Sequence, residues 1–253
     1  MRELGRVIAV LSGKGGVGKT FFSANVSAAL SDLGRKTLVI DFDVGLRNLD
    51  LALGMQDSTP FDFTDVLNGT ATLESAITVH PLHKNLYFLG GPQFSEISEL
   101  SDDSLEKLTQ AVRESFDYII VDCAAGIGRG FTLAAKAADS VILVVTPENS
   151  SVRDSERTCS ILREKGMNDI YLVVNRVRPK EIKRAELNNI DEIIDTVNVR
   201  LLGLVPEDVK TSVRANRGEL TLDCKKAKMQ ATAIRNVAKR ITGVETPLFR
   251  FWK

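Results

Sequence analysis

The sequence predicts a three-layer α/β fold, a mostly parallel twisted sheet of about seven or eight strands with helices on both faces. Short runs rich in Val, Ile and Leu, at 7–11, 37–40, 86–89, 118–121, 141–145, 170–174 and 201–205, lack the polar alternation of a half-exposed strand. Strands buried on both faces read this way. Helical patterns lie between most of them. Phe22, Val26, Ala29, Leu30 and Leu33 fall on one stripe, closed by Gly34 at a C-cap position, and a second pattern covers 151–166, again ending in glycine. Alternating strands and helices imply right-handed βαβ units, which place helices on both sides of the sheet.

With 253 residues and 43% hydrophobic composition, the chain can bury one large core and is short for two. No repeat or Pro/Gly linker divides it, so residues 1–244 are expected to form one domain, followed by a short aromatic and basic tail, 245–253. Lys plus Arg equals Asp plus Glu at 33 each, so no global field draws nucleic acid, and DNA is not the expected partner. Cys123, Cys159 and Cys224 are too few and too scattered for a disulfide framework or a zinc site, and they fit a reducing compartment. The apolar run at 7–11 is too short for a signal peptide, and no run approaches the roughly 20 apolar residues of a membrane span. The expected location is the cytoplasm, with any membrane contact peripheral.

Directly after the first strand comes Gly13-Lys14-Gly15-Gly16-Val17-Gly18-Lys19-Thr20, which fits GxxxxGK[ST] and runs straight into a helix. The glycines let successive backbone N–H groups turn inward around a phosphate, and the helix N-terminus adds its positive dipole end. Gly13, Gly15, Gly16, Val17, Gly18, Lys19, Thr20 and Phe21 are therefore the expected nucleotide contacts. Lys19 can reach the β and γ oxygens, and the Thr20 hydroxyl can ligate Mg²⁺. ATP and Mg²⁺ are the expected cofactors, and the three-layer fold is that of P-loop NTPases.

Two carboxylates, Asp41 and Asp43, follow the second strand, where a group beside the P-loop can orient an attacking water or hold magnesium through water. Solvated loop aspartates are the plain alternative. The apolar strand 118–121 ends in Asp122, the arrangement for binding Mg²⁺ through water. Asn175, ending the strand at 170–174, offers the donor and acceptor pair that suits an adenine edge, or else makes an ordinary strand-end turn. Cys123 should have a raised pKa beside Asp122, against a nucleophilic role. His80 and His83 are spaced HxxH, but Pro81 between them argues against a helix and no Cys or carboxylate nearby completes a ligand set, so no metal is expected there.

Lys14, a second lysine inside the loop, makes the pattern more specific. The stretch from Lys14 to Thr20 resembles the deviant Walker A loop shared by the MinD and ParA ATPases and by nitrogenase iron protein, and the run from Gly45 through Leu46, Arg47, Asn48, Leu49 and Asp50 to Leu51 is most similar to MinD proteins. The resemblance implies an ATPase that sandwiches two ATP molecules in a homodimer and binds cell-division regulator proteins. In such a dimer Lys14 crosses to the partner's nucleotide, and Asp154, in a serine-rich segment similar to that of MinD proteins, faces a lysine across the interface. Asp43 would position the water, Asp41 would support the magnesium shell, and Asn175 with Pro206 and Glu207 would flank the base. Cys123 and Ala124 depart from the family's serine and proline, which should loosen this loop and bears on the speed of hydrolysis.

From Lys225 onward there are eight basic residues and one acid, Glu245, and the chain closes on Leu248, Phe249, Arg250, Phe251, Trp252 and Lys253. Ile234, Val237, Ala238 and Ile241 form an apolar stripe, readable as a packed terminal helix. Leu248, Phe249, Phe251 and Trp252 could instead touch an anionic membrane surface. Each contributes about 1.5–3 kcal/mol if buried, before ordering costs, so one tail binds marginally and two tails on an ATP-held dimer bind with avidity. MinD proteins carry a short amphipathic membrane-targeting segment here, whereas Pro247 interrupts this one. The sequence thus predicts a MinD-like ATPase at the inner face of the cell membrane. A ParA-type or flagellar-positioning relative, the former using 225–240 on DNA phosphates, and a nucleotide-bound scaffold with negligible turnover are the alternatives.

Overall fold

A computed structural model describes residues 4–45, 47–56, 58, 60–93 and 100–249. Leu46, Arg250, Phe251, Trp252 and Lys253, all named above, lie outside the described residues. The strands are β1 (Arg6–Leu11), β2 (Thr37–Phe42), β3 (Ile77–Val79), β4 (Leu86–Leu89), β5 (Tyr118–Cys123), β6 (Ser140–Val145), β7 (Ile170–Val177) and β8 (Arg200–Pro206). They form one eight-stranded sheet in the order β3-β4-β2-β5-β1-β6-β7-β8, parallel except for β3 against β4. The anticipated strands are present. β3 was not legible, because three residues on a half-exposed edge carry no detectable period.

The helices are α1 (Lys19–Asp32), α2 (Leu49–Leu53), α3 (Phe63–Leu67), α4 (Leu73–Ala76), α5 (Ser104–Val112), α6 (Arg129–Ala137), α7 (Asn149–Glu164), α8 (Pro179–Lys183), α9 (Ile190–Val197), α10 (Thr211–Ala215) and α11 (Lys228–Ile241). Side chains alternating along the strands divide the core in two. Ala9, Leu11, Val121 and Leu143 pack with α3 to α7 and α9 on one face. Ile8, Val10, Ile120 and Ile142 pack with α1, α2 and α11 on the other. The result is the three layers expected of βαβ units.

The first helix departs from the expected single stripe. Every residue from Phe22 to Ser31 is buried, because α1 lies between the sheet, α2 and α11. Its polar side chains are bonded inside the layer: Ser27 Oγ donates to Ser23 O, and Asn25 Oδ1 accepts from Thr221 N. The stripe Ile234, Val237, Ala238 and Ile241 is buried against the same layer, so α11 is a packed terminal helix.

Candidate nucleotide-binding site

β1 delivers the chain at Leu11 into a loop that ends at Gly18, and α1 begins at Lys19. Gly18 sits in the left-handed region at φ 93°, and a Cβ there would lie 2.4 Å from Asn175 Nδ2. A Cβ on Gly13 would lie 2.5 Å from the Asp154 carbonyl oxygen. The loop thus needs glycine at both ends, one against β7 and one against α7. Lys19 is buried, at 8% exposure, directly beneath the loop.

Asp41 and Asp122 end neighbouring strands and are register partners across β2 and β5. Both are buried. Burial first, then the charge of Asp122, pushes Asp41 up to about 7, although its oxygens accept from the Asp43 and Leu49 N–H groups at 3.0 Å each. Burial also raises Asp122 to about 6, opposed by the Thr20 and Ser23 hydroxyls and by Lys19. Ser23 Oγ donates to Asp122 Oδ1 at 2.7 Å, while Oδ2 is buried with no hydrogen-bond partner among the described residues. Asp43 is half-buried, its pKa raised by burial and lowered by Lys19.

Two buried carboxylates, one with an orphaned oxygen, beside a lysine and a helix N-terminus are a donor set suited to a divalent cation accompanying a phosphate anion. Thr20, Asp41 and Asp122 are the residues that fit Mg²⁺. Cys123 is buried and its pKa is raised well above the usual thiol value, with burial the first cause and Asp122 the second.

The other anticipated residues surround the loop. Asn175 is buried and its Nδ2 donates to Val17 O at 2.8 Å. A register shift between β7 and β8 and a left-handed Arg176 (φ 55°) occur at this point, where β7 bends past the loop. Pro206 ends β8, its carbonyl held by Gln230 Nε2 at 3.1 Å, and Glu207 pairs with Arg178 at 3.3 Å. Lys14 is exposed and donates to Ser150 Oγ of its own chain at 2.7 Å; Asp154, one turn further along α7, is exposed beside it. Gly126 N donates to Ser12 O at 3.0 Å, tying the Ala124 loop to the P-loop.

The CobQ/CobB/MinD/ParA nucleotide binding domain matches residues 8–222 of this chain. The septum site-determining protein MinD of Synechocystis is 38% identical over 248 residues, 98% of this chain and 93% of that protein. This chain belongs to the MinD/ParA family. Among solved structures, MinD of Aquifex aeolicus in a MinC:MinD cell division protein complex superposes with a TM-score of 0.90 at 35% identity, covering 98% of this chain and all of that one. Pyrococcus horikoshii MinD complexed with Mg-ADP superposes at 0.84 with 30% identity, covering 94% and 96%. This member of the MinD/ParA family therefore has a nucleotide-binding domain of MinD architecture.

Several residues of the family site escaped the sequence reading. Ser23 and Ser150 bind Asp122 and Lys14 from positions without a motif, and Gln230 joins Thr211, Thr221 and Pro206 from α11. Asp32 and Asp223, distant in sequence, bracket His83 at 2.9 and 3.3 Å and raise its pKa. His80 Nδ1 accepts two backbone N–H groups, so this pair is committed to the protein interior.

Proposed function

We propose that the chain is an ATPase that selects the division site in the manner of MinD proteins. It closes into a homodimer around ATP, binds a cell-division regulator and the anionic inner face of the cell membrane in that state, and is released by hydrolysis. The observation that carries the reading is the convergence of Lys19, Asp41, Asp43 and Asp122 on one P-loop, in a chain matched over 98% of its length by a septum site-determining relative. The regulator is supported by the Aquifex aeolicus complex with MinC.

In this reading the loop N–H groups and Lys19 hold the phosphates, and Asp43, half-buried beside Lys19, orients the attacking water. A Mg²⁺ held by Thr20, Asp41 and Asp122 neutralises charge on the phosphate oxygens. Asn175, Pro206 and Glu207 flank the base. Lys14 exchanges Ser150 for the partner subunit's nucleotide, and Asp154 faces the partner; both are already exposed on the loop side. Leu248 and Phe249, with Phe251 and Trp252, make the membrane contact. Among the described residues no helix is long and apolar enough to cross a membrane, so this contact is peripheral.

Co-sedimentation with anionic liposomes in ATP and in ADP, with and without residues 246–253, tests the reading. Pelleting in ATP alone, lost on truncation, is expected; equal solubility in both nucleotides would overturn the membrane step. A DNA-bound ParA-type role is the second reading, because 224–244 contains no acidic residue and Lys225, Lys228, Arg235 and Lys239 are exposed. It predicts DNA binding that collapses as salt rises, whereas the aromatic tail has no part in it.

A further inference from the structure

At the opposite end of the sheet from the P-loop, the first residues of β1, β6, β7 and β8 open into a cavity of about 610 Å³. Helix α11 stops at Ile241, and 243–248 continues as the outer wall of the cavity. Its apolar floor is the half-exposed Tyr171 ring with Val244 and Leu248 of the wall, over Ile8, Ile142 and Leu202, which are almost fully buried. The rim carries three guanidiniums, Arg6, Arg200 and Arg240, against one carboxylate, Glu245.

Among the described residues only one of these arginines has an ion-pair partner. Arg6 pairs with Asp169. Arg240 spends its fork on carbonyls, bonding Thr246 O through Nε at 2.8 Å and Nη2 at 2.6 Å, and Leu202 O through Nη1. The Arg200 side chain is exposed and has no ion pair or hydrogen bond among the described residues. A guanidinium fork matches phosphate oxygens, and a cationic rim above an apolar floor fits an anion that is hydrocarbon at one end. The wall of the cavity leads within a few residues to Phe251 and Trp252, at the end of the chain assigned above to the membrane.

We infer that this cavity binds the headgroup phosphate of an anionic membrane lipid at Arg200, beside Arg240, with the start of its acyl chains on Tyr171, Val244 and Leu248. The inference rests on the proposed membrane contact and deepens it: the tail supplies unspecific affinity, and the cavity supplies a stereochemical site that turns the P-loop end away from the bilayer.

The probe is dihexanoyl-phosphatidylglycerol below its micelle concentration, titrated calorimetrically into the full chain with no membrane present. Dihexanoyl-phosphatidylcholine and inorganic phosphate are the controls. Saturable one-to-one binding of the anionic lipid is expected, about tenfold or more weaker in Arg200→Glu, with ATP affinity and melting unchanged because the exposed Arg200 side chain makes no ion pair or hydrogen bond among the described residues. Absence of binding, binding indifferent to Arg200→Glu, or equal binding of phosphatidylcholine or inorganic phosphate would overturn it. Long-chain phosphatidylglycerol vesicles separate the two readings. If vesicles pellet the ATP-bound protein while the short lipid does not bind, the cavity fails and the membrane contact stands; if the short lipid binds and vesicles pellet nothing, the reverse holds.

Discussion

The two ends of the sheet are built in opposite ways. At the ends of β1, β2 and β5, charge is buried and over-determined: Asp41 and Asp122 lie side by side in the core, and a Cβ on either Gly13 or Gly18 would collide with its surroundings. At the starts of β1, β7 and β8, charge sits on a rim, and the exposed Arg200 side chain has no ion-pair partner among the described residues. Buried carboxylates are costly to ionise, and burial raises the pKa of both acids at the upper end. The lower end is relaxed and tolerant. Substitutions should therefore be severe above and mild below.

The largest effect is expected at Gly18. An alanine there meets both a left-handed backbone and Asn175 Nδ2 at 2.4 Å, so Gly18→Ala should lose about 2–4 kcal/mol of stability and its nucleotide affinity. Chemical denaturation and ATP titration check it; a variant of native stability would show that the loop has slack. Next is Asp43→Ala, which should keep the fold and ATP binding while steady-state turnover falls about a hundredfold or more. Unchanged turnover would remove Asp43 from the water-positioning role.

A smaller effect concerns pH. In the nucleotide-free protein the Asp41 carboxyl is raised from 3.8 to about 7, so the folded chain holds that proton more tightly than the unfolded chain. Ionising it destabilises the fold, and the penalty grows as pH rises from 3.8 and is complete above about 7. Asp122, raised from 3.8 to about 6, acts with the same sign. Asp41→Asn should therefore gain on wild type by about 1–3 kcal/mol between pH 5 and 8, despite losing one of two accepted N–H bonds. A difference in melting temperature that stays constant across this range would contradict the burial account. The smallest effect is at the foot, where Arg240→Met should release Thr246 O, cost under about 1.5 kcal/mol and leave ATP affinity unchanged, as thermal melting and ATP titration will reveal.

The same contrast governs what could be read from the chain. The upper end is written in contiguous motifs, since a phosphate loop needs glycines at fixed spacing and Asp41 and Asp122 need only follow apolar runs. Buried strands were legible for the same reason, while β3 was too short to carry a period. Asn175 was expected to end its strand, whereas β7 continues to Val177, and the irregular register there, beside the bond from Asn175 to Val17 O, has no sequence mark. Ser23 and Ser150 were missed because serine is common and their partners are 99 and 136 residues away. Asp32 and Asp223 reach His83 from 51 and 140 residues away, so a search of neighbouring sequence could not find them. The foot cavity gathers Arg6, Arg200 and Arg240 from three separate elements, and no spacing rule joins them.

The central claim is that ATP closes two copies of this chain face to face across Lys14 and Asp154. Sedimentation velocity of Asp43→Ala protein, in which ATP persists, tests it most directly when run in ATP, in ADP and with Lys14→Ala added. A species of twice the single-chain mass in ATP alone, absent in ADP and absent with Lys14→Ala, is the predicted result. A single-chain mass in every condition, or a dimer indifferent to nucleotide and to Lys14, would contradict it.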